Sequence, residues 1–242
     1  MNISDILLGA AIIIAAPAVN RVGEAKAQQI HPDQVVVDSP FVHDPVLAYE
    51  NGKYYLYSTG HGISQMTSAD RKHWTLCREG VLKNHEIPAW THDSVPGFHT
   101  HIWAPDVIHY RNKWYLAYSC STFGKNTSAI GLLSNTSLAN MNGWKDEGCI
   151  LASEGKRDNW NAIDPNFVID DKGNPWMTWG SFWDGIQLVK LDKKTMHVKK
   201  GAKPQTIARR HAFGDASAEP NPTSKFAGAN AIEAPFIMKH GG

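Results

Sequence analysis

The sequence predicts an all-β chain of the β-propeller type, and three observations carry that reading. An acidic residue close to proline recurs as Asp44-Pro45, Asp164-Pro165 and Glu233-Ala234-Pro235, with a related Ala104-Pro105-Asp106, at steps of 62, 58 and 69 residues between the acids. The copies at Asp44, Asp106 and Asp164 are each trailed by a polar turn and then an aromatic run of strand character, and Glu233 is followed by the turn sequence Lys239-His240-Gly241-Gly242. Aromatic residues make up 10% of the 242-residue chain, which suits strands and stacking platforms better than a helical bundle. A unit of about four short strands returning every ~60 residues is the pattern of a propeller blade. A β-sandwich with evenly spaced strands is the alternative, but it gives no reason for an acidic-proline element to keep register with a turn and an aromatic strand.

Taken in order, residues 6–19 are small and apolar, and Ala25-Lys26-Ala27 then forms an A-x-A cleavage pattern before Gln28. The apolar run is too short to span a bilayer, so residues 1–27 are expected to be a signal peptide and 28–242 the propeller domain. The first unit runs from Asp44 through the hairpin signal Asn51-Gly52-Lys53 to Tyr54-Tyr55-Leu56-Tyr57. The second passes from Asp106 through Asn112-Lys113 to Trp114-Tyr115-Leu116-Ala117-Tyr118, and the third from Asp164 through Asp171-Lys172-Gly173-Asn174 to Trp176-Met177-Thr178-Trp179. Residues 64–74, 128–144 and 186–198 supply the looser second half of each unit. Helix signals are sparse, and 83–101 and 209–230 read as long loops above one face.

Twenty-four Lys and Arg against 23 Asp and Glu leave a net charge of +1, which gives no footprint for nucleic acid or an anionic membrane. Cys77, Cys120 and Cys149 are too widely spaced for a zinc site of the CxxC kind and read as small buried hydrophobes. His92, His99 and His101 cluster without matching a strong metal motif.

The acids are the informative residues. Proline disfavours α conformation in the residue before it, so Asp44 and Asp164 are expected in extended backbone at the mouth of a strand. In a propeller the innermost strand of every blade lines the central channel, so equivalent positions on successive blades face one axis. Asp44, Asp164 and Glu233 are therefore expected in one pocket. Clustered carboxylates repel, which pushes a proton onto one of them, the condition for a general acid. Glycosidic cleavage with inversion needs such an acid opposite an ionised carboxylate, roughly 6.5–9.5 Å apart. Any single Asp-Pro is ordinary in turns; the repetition is what counts. Asp106 follows its proline, so it is expected to face differently and to serve the structure.

At these residues the sequence resembles glycoside hydrolase family 43, in its arabinanase branch, from about residue 37 to 242. The motifs are Val42-His43-Asp44-Pro45, His101-Ile102-Trp103-Ala104-Pro105-Asp106, Gly124-Lys125-Asn126-Thr127-Ser128-Ala129-Ile130-Gly131, Asn161-Ala162-Ile163-Asp164-Pro165, Ser181-Phe182-Trp183-Asp184-Gly185 and Ala231-Ile232-Glu233-Ala234-Pro235-Phe236. The resemblance implies a five-bladed β-propeller that hydrolyses α-1,5-linked L-arabinan with inversion. Asp44 would be the general base and Glu233 the general acid, with Asp164 raising the pKa of Glu233 and holding it. Asn161, Ala162, Ile163, Ser181, Phe182 and His101 would lie beside the sugars. A neutral arabinofuranosyl chain offers apolar ring faces, for which Trp103, Phe98, Phe182 and Trp183 are suitable platforms.

No cofactor is required by this reading. An ion near the propeller axis would take its ligand from outside this chain, so no metal ligand is assigned. The expected partner is arabinan or an arabino-oligosaccharide, with neither nucleic acid nor membrane, and the expected form is a secreted or periplasmic monomer. Against the family pattern the chain holds about three blades and the start of a fourth, an incomplete ring expected to have little activity as given. The competing readings are a family 43 enzyme on xylan-type substrates and a non-catalytic sugar-binding propeller. A purely structural propeller leaves the converging acids unexplained.

Overall fold

The computed structural model describes residues 34–210 and 230–240; the expected signal peptide, and most of the 209–230 loop, lie outside the described residues. The first unit comprises β1 (Gln34–Val37), β2 (Val46–Glu50), β3 (Lys53–Ser58), the two-residue β4 (Gly60–His61), β5 (Ser64–Ser68) and β6 (Trp74–Cys77). The Asn51-Gly52 turn has φ of 49° and 83° and joins β2 to β3 with Glu50 opposite Lys53, as the sequence predicts for a two-residue hairpin. The second unit holds β7 (His101–Tyr110), β8 (Lys113–Cys120), β9 (Ser128–Asn135) and β10 (Lys145–Ser153). Here the turn falls one residue earlier than expected: Arg111 and Asn112 take positive φ, and Lys113 already pairs with Tyr110. The third unit is β11 (Asn166–Ile169), β12 (Pro175–Trp179), β13 (Ile186–Lys190) and β14 (Gln205–Ala208).

Each unit is one antiparallel sheet, in the orders β1-β6-β5-β3-β2, β10-β9-β8-β7-β4 and β11-β12-β13-β14. The short β4 leaves its own unit to pair with β7. β7 packs beside both β2 and β11, so the first long strand of each unit lies innermost. These are three blades of a β-propeller, and a bridge between Ser181 and Glu233 opens the next. Of helix, the described residues contain only α1 (Trp90–Ser94) and a 3-10 turn at Lys83–His85, both within the expected 83–101 loop. None of the described helices is long and apolar enough to cross a membrane.

The middle sheet is buried on both faces. Leu116, Tyr118, Ala129 and Leu133 pack toward the first blade, while Ala117, Ile130 and Leu132 pack toward the third. All eight residues of β9 are buried, which is why Ser128–Asn135 reads as a run without a polar face. The first two blades are also joined by Glu50. Its Oε1 accepts from Trp114 Nε1 at 2.7 Å, and its Oε2 accepts from Ser137 Oγ at 2.7 Å and from the Leu138 and Ala139 amides at 2.8 and 3.3 Å.

Candidate active site

The residues before proline do not take the extended backbone expected of them. Asp44, Asp164 and Ala234 have φ of 50°, 58° and 53°, left-handed values that cost a non-glycine residue ~1–2 kcal/mol each. The neighbouring bonds explain the kink. The carbonyl just before each aspartate is held by the end of the blade's second strand, as Thr59 N donates to His43 O at 3.0 Å and Gly180 N to Ile163 O at 2.9 Å. The chain must then turn sharply to let proline begin the inner strand, and the acid sits on that turn. In the fourth copy the kink falls on Ala234, so Glu233 stands one backbone position earlier than the two aspartates.

Asp44 and Asp164 share one cleft, and Glu233, itself exposed, stands beside it near enough for its charge to act on Asp164. Asp44, Asp164, their prolines, Ala104, Pro105, Asp106, Ala234 and Pro235 line one cleft. The Ala234 amide donates to Asp164 Oδ2 at 3.2 Å. Burial, reinforced by the charges of Asp44 and Glu233, pushes the Asp164 carboxyl up to about 7. Around them runs a set of hydroxyls near the ends of the second strands. Thr59 Oγ1 donates to Asp44 Oδ2 at 2.7 Å, beside His43 Nδ1 at 2.7 Å. Ser119 Oγ accepts from the Asp164 amide at 3.0 Å and donates to Ala104 O at 3.1 Å. Ser181 Oγ donates to Glu233 Oε2 at 2.8 Å.

Asp106 is buried, and burial lifts its carboxyl to about 6. Its Oδ2 accepts from the Phe167 amide at 2.6 Å and from Asn166 Nδ2 at 3.3 Å, stitching the second inner strand to the third. Asn166 Oδ1 in turn accepts from the Ile237 amide at 2.9 Å, tying in the segment that follows Glu233.

The residues expected beside the sugars divide into two groups. His101 is exposed, and Trp103 and Phe182 are half-buried. Phe98 and Trp183, expected as platforms, are only 5% and 3% exposed, so neither offers a free ring face. Phe98 is drawn into the apolar layer between the first two blades with Val95 and Ile102. Asn161, Ala162, Ile163 and Ser181 are buried too, and Ser181 directs its hydroxyl to Glu233. Asp184, 2% exposed, anchors the 181–185 loop by pairing with Arg209 at 3.1 Å and accepting from Thr206 Oγ1 at 2.8 Å.

Sequence reasoning missed Thr59 and Phe123. The signal for the first was the recurrence of a hydroxyl within two residues of an aromatic in Tyr57-Ser58-Thr59, Tyr118-Ser119 and Trp179-Gly180-Ser181. Phe123, 95% exposed, follows β8 at the same end of the blade as Trp103, since Trp103 pairs with Ser119. Among the described residues no group of three or more His, Cys, Asp or Glu is arranged to hold a metal ion.

Comparison with known proteins gives a consistent result. The model of the family described as glycosyl hydrolases family 43 matches residues 34–242. The extracellular exo-alpha-(1->5)-L-arabinofuranosidase of Cellvibrio japonicus is 39% identical over 203 residues, covering 83% of this chain and 56% of that protein. The extracellular endo-alpha-(1->5)-L-arabinanase 1 of Bacillus subtilis is 41% identical over 186 residues, covering 75% and 55%. Among solved structures, an exo-1,5-alpha-L-arabinanase from a bovine ruminal metagenomic library superposes with a TM-score of 0.73 at 51% identity, over 84% of this chain and 63% of that one. The chain thus spans a little over half the length of the curated relatives it matches.

Proposed function

Because this chain belongs to glycosyl hydrolases family 43, we propose that it carries the acid and base of an inverting hydrolase of α-1,5-linked arabinan. The observation that supports this reading most is the convergence of three carboxyls: Asp164 feels the charges of both Asp44 and Glu233 although 120 residues of chain separate it from the first and 69 from the second. Asp44 takes a proton from the attacking water. Glu233 delivers one to the departing oxygen, and Asp164, sharing the cluster's charge, keeps that proton available. No step needs a cofactor.

The substrate is a neutral furanose chain, recognised by stacking on the rings of Trp103, Phe182 and Phe123 and by hydrogen bonds from polar groups of the cleft. The α-1,5 linkage is the element shared by the relatives' names. Those names also describe extracellular proteins, which together with the apolar segment at 6–19 supports an exported enzyme.

The test is turnover of linear arabinan by the purified protein and by Asp44→Asn. We expect the substitution to lower kcat by about 10²–10⁴-fold, the range for removing a general base, with arabino-oligosaccharide binding retained. Equal, measurable turnover by both proteins refutes the assignment.

A further inference from the structure

A carboxylate used as a general base has two oxygens, and only one should face the water it deprotonates. In Asp44 the two are not alike. Thr59 Oγ1 and His43 Nδ1 both approach Oδ2, each at 2.7 Å, while among the described residues no donor reaches Oδ1. Thr59 is itself anchored, because its amide donates to His43 O at 3.0 Å, so its backbone and its hydroxyl both grip the His43-Asp44 pair. His43 is a looser partner, with its side chain 74% exposed. The grip matters because Asp44 sits on a left-handed turn with its side chain 34% exposed.

Resting on the hydrolase reading above, we propose that Thr59 is a positioning residue: its hydroxyl pins Asp44 Oδ2 and so presents Oδ1 as the oxygen that receives the proton of the attacking water. The device is the counterpart of Ser181 on Glu233, where a second-strand hydroxyl likewise occupies one carboxyl oxygen, Oε2. Base and acid are each held by a hydroxyl from the end of a β-strand, a more rigid mount than a loop.

Thr59→Val keeps the shape and removes the donor, and Thr59→Ser keeps the donor and removes a methyl. For Val we expect kcat on arabinan to fall about 10- to 100-fold with KM changed less than about twofold, the scale of one hydrogen bond to a charged group. Ser is expected to recover most of the turnover. Asp44→Asn is assayed beside them. If it stays active, the base assignment fails and the hydrolase reading with it. If it is inactive while Thr59→Val turns over like the parent protein, or if Thr59→Ser is as impaired as Val, the role of Thr59 alone is overturned. Crystal structures of the variants give a readout independent of turnover: the Asp44 carboxyl is expected to rotate in Thr59→Val and to keep its orientation in Thr59→Ser. An unchanged carboxyl in Val overturns the proposal.

Discussion

At the scale of single residues, the cleft holds a proton where an isolated aspartate would have lost it. Burial, with the charges of Asp44 and Glu233 beside it, raises Asp164 to about 7. The folded state therefore binds a proton between roughly pH 4 and 7 that the unfolded chain has released, and stability falls as pH rises through that window. Asp106, raised to about 6 by burial, acts in the same direction at the lower end. Asp164→Asn is expected to remove the loss that builds up between about pH 4 and 7, a gain on the order of 2 kcal/mol at pH 8 once solvent screening of this half-buried group is allowed for. Urea unfolding at pH 4.5, 6 and 8 measures it; parallel curves for both proteins would contradict the assigned cause.

Elements are joined here by charged groups saturated with hydrogen bonds. Glu50 at the end of β2 collects the Trp114 indole, the Ser137 hydroxyl and the 138 and 139 amides. Burial acts to raise its pKa, but these donors outweigh it and hold the carboxyl below its usual value. Its contribution is present above the ordinary carboxylate range and is lost as pH falls through the lowered value, opposite in sign to that of Asp164. Glu50→Ala leaves several donors unpaired at the junction of two blades and is expected to cost about 2–4 kcal/mol by denaturant titration at pH 7. Asp184→Ala leaves Arg209 without its buried carboxylate, an expected loss of about 3–5 kcal/mol. Because Asp184 anchors the loop that carries Ser181, kcat should fall in the same variant; unchanged stability and turnover would show that the loop is held by other contacts.

Over the whole molecule, the middle blade is shared between two apolar layers. Leu133 and Leu132 are adjacent in sequence yet enter different layers, one facing the first blade and the other the third. Truncating either to alanine is expected to cost about 2–5 kcal/mol. Because β9 belongs to both layers, each variant should still unfold in one transition, with tryptophan fluorescence and far-UV circular dichroism coinciding. Two separated transitions in Leu132→Ala would mean that the blades unfold independently. The same radial stacking carries the chemistry, since it brings the starts of the inner strands, and the acids on them, to one cleft.

What the sequence determined by itself was periodic and local: the hairpin at Asn51-Gly52, the aromatic strands, the spacing of the blades and the choice of Asp44, Asp164 and Glu233 as the acids to watch. Turn residues and strand alternation act over a few positions, so they survive in a one-dimensional reading. Tertiary structure decided the rest. It overrode the extended backbone expected before proline, because the residue ahead of each aspartate is tied to the neighbouring strand. It drew Phe98 and Trp183 into the interior, where burying a large aromatic gains more than exposing it to a ligand. It also brought Thr59 to Asp44 and Ser181 to Glu233, pairings 15 and 52 residues apart that depend on how strands register and how one blade follows the next. No local preference encodes those distances, and they set which carboxyl oxygens the two hydroxyls occupy.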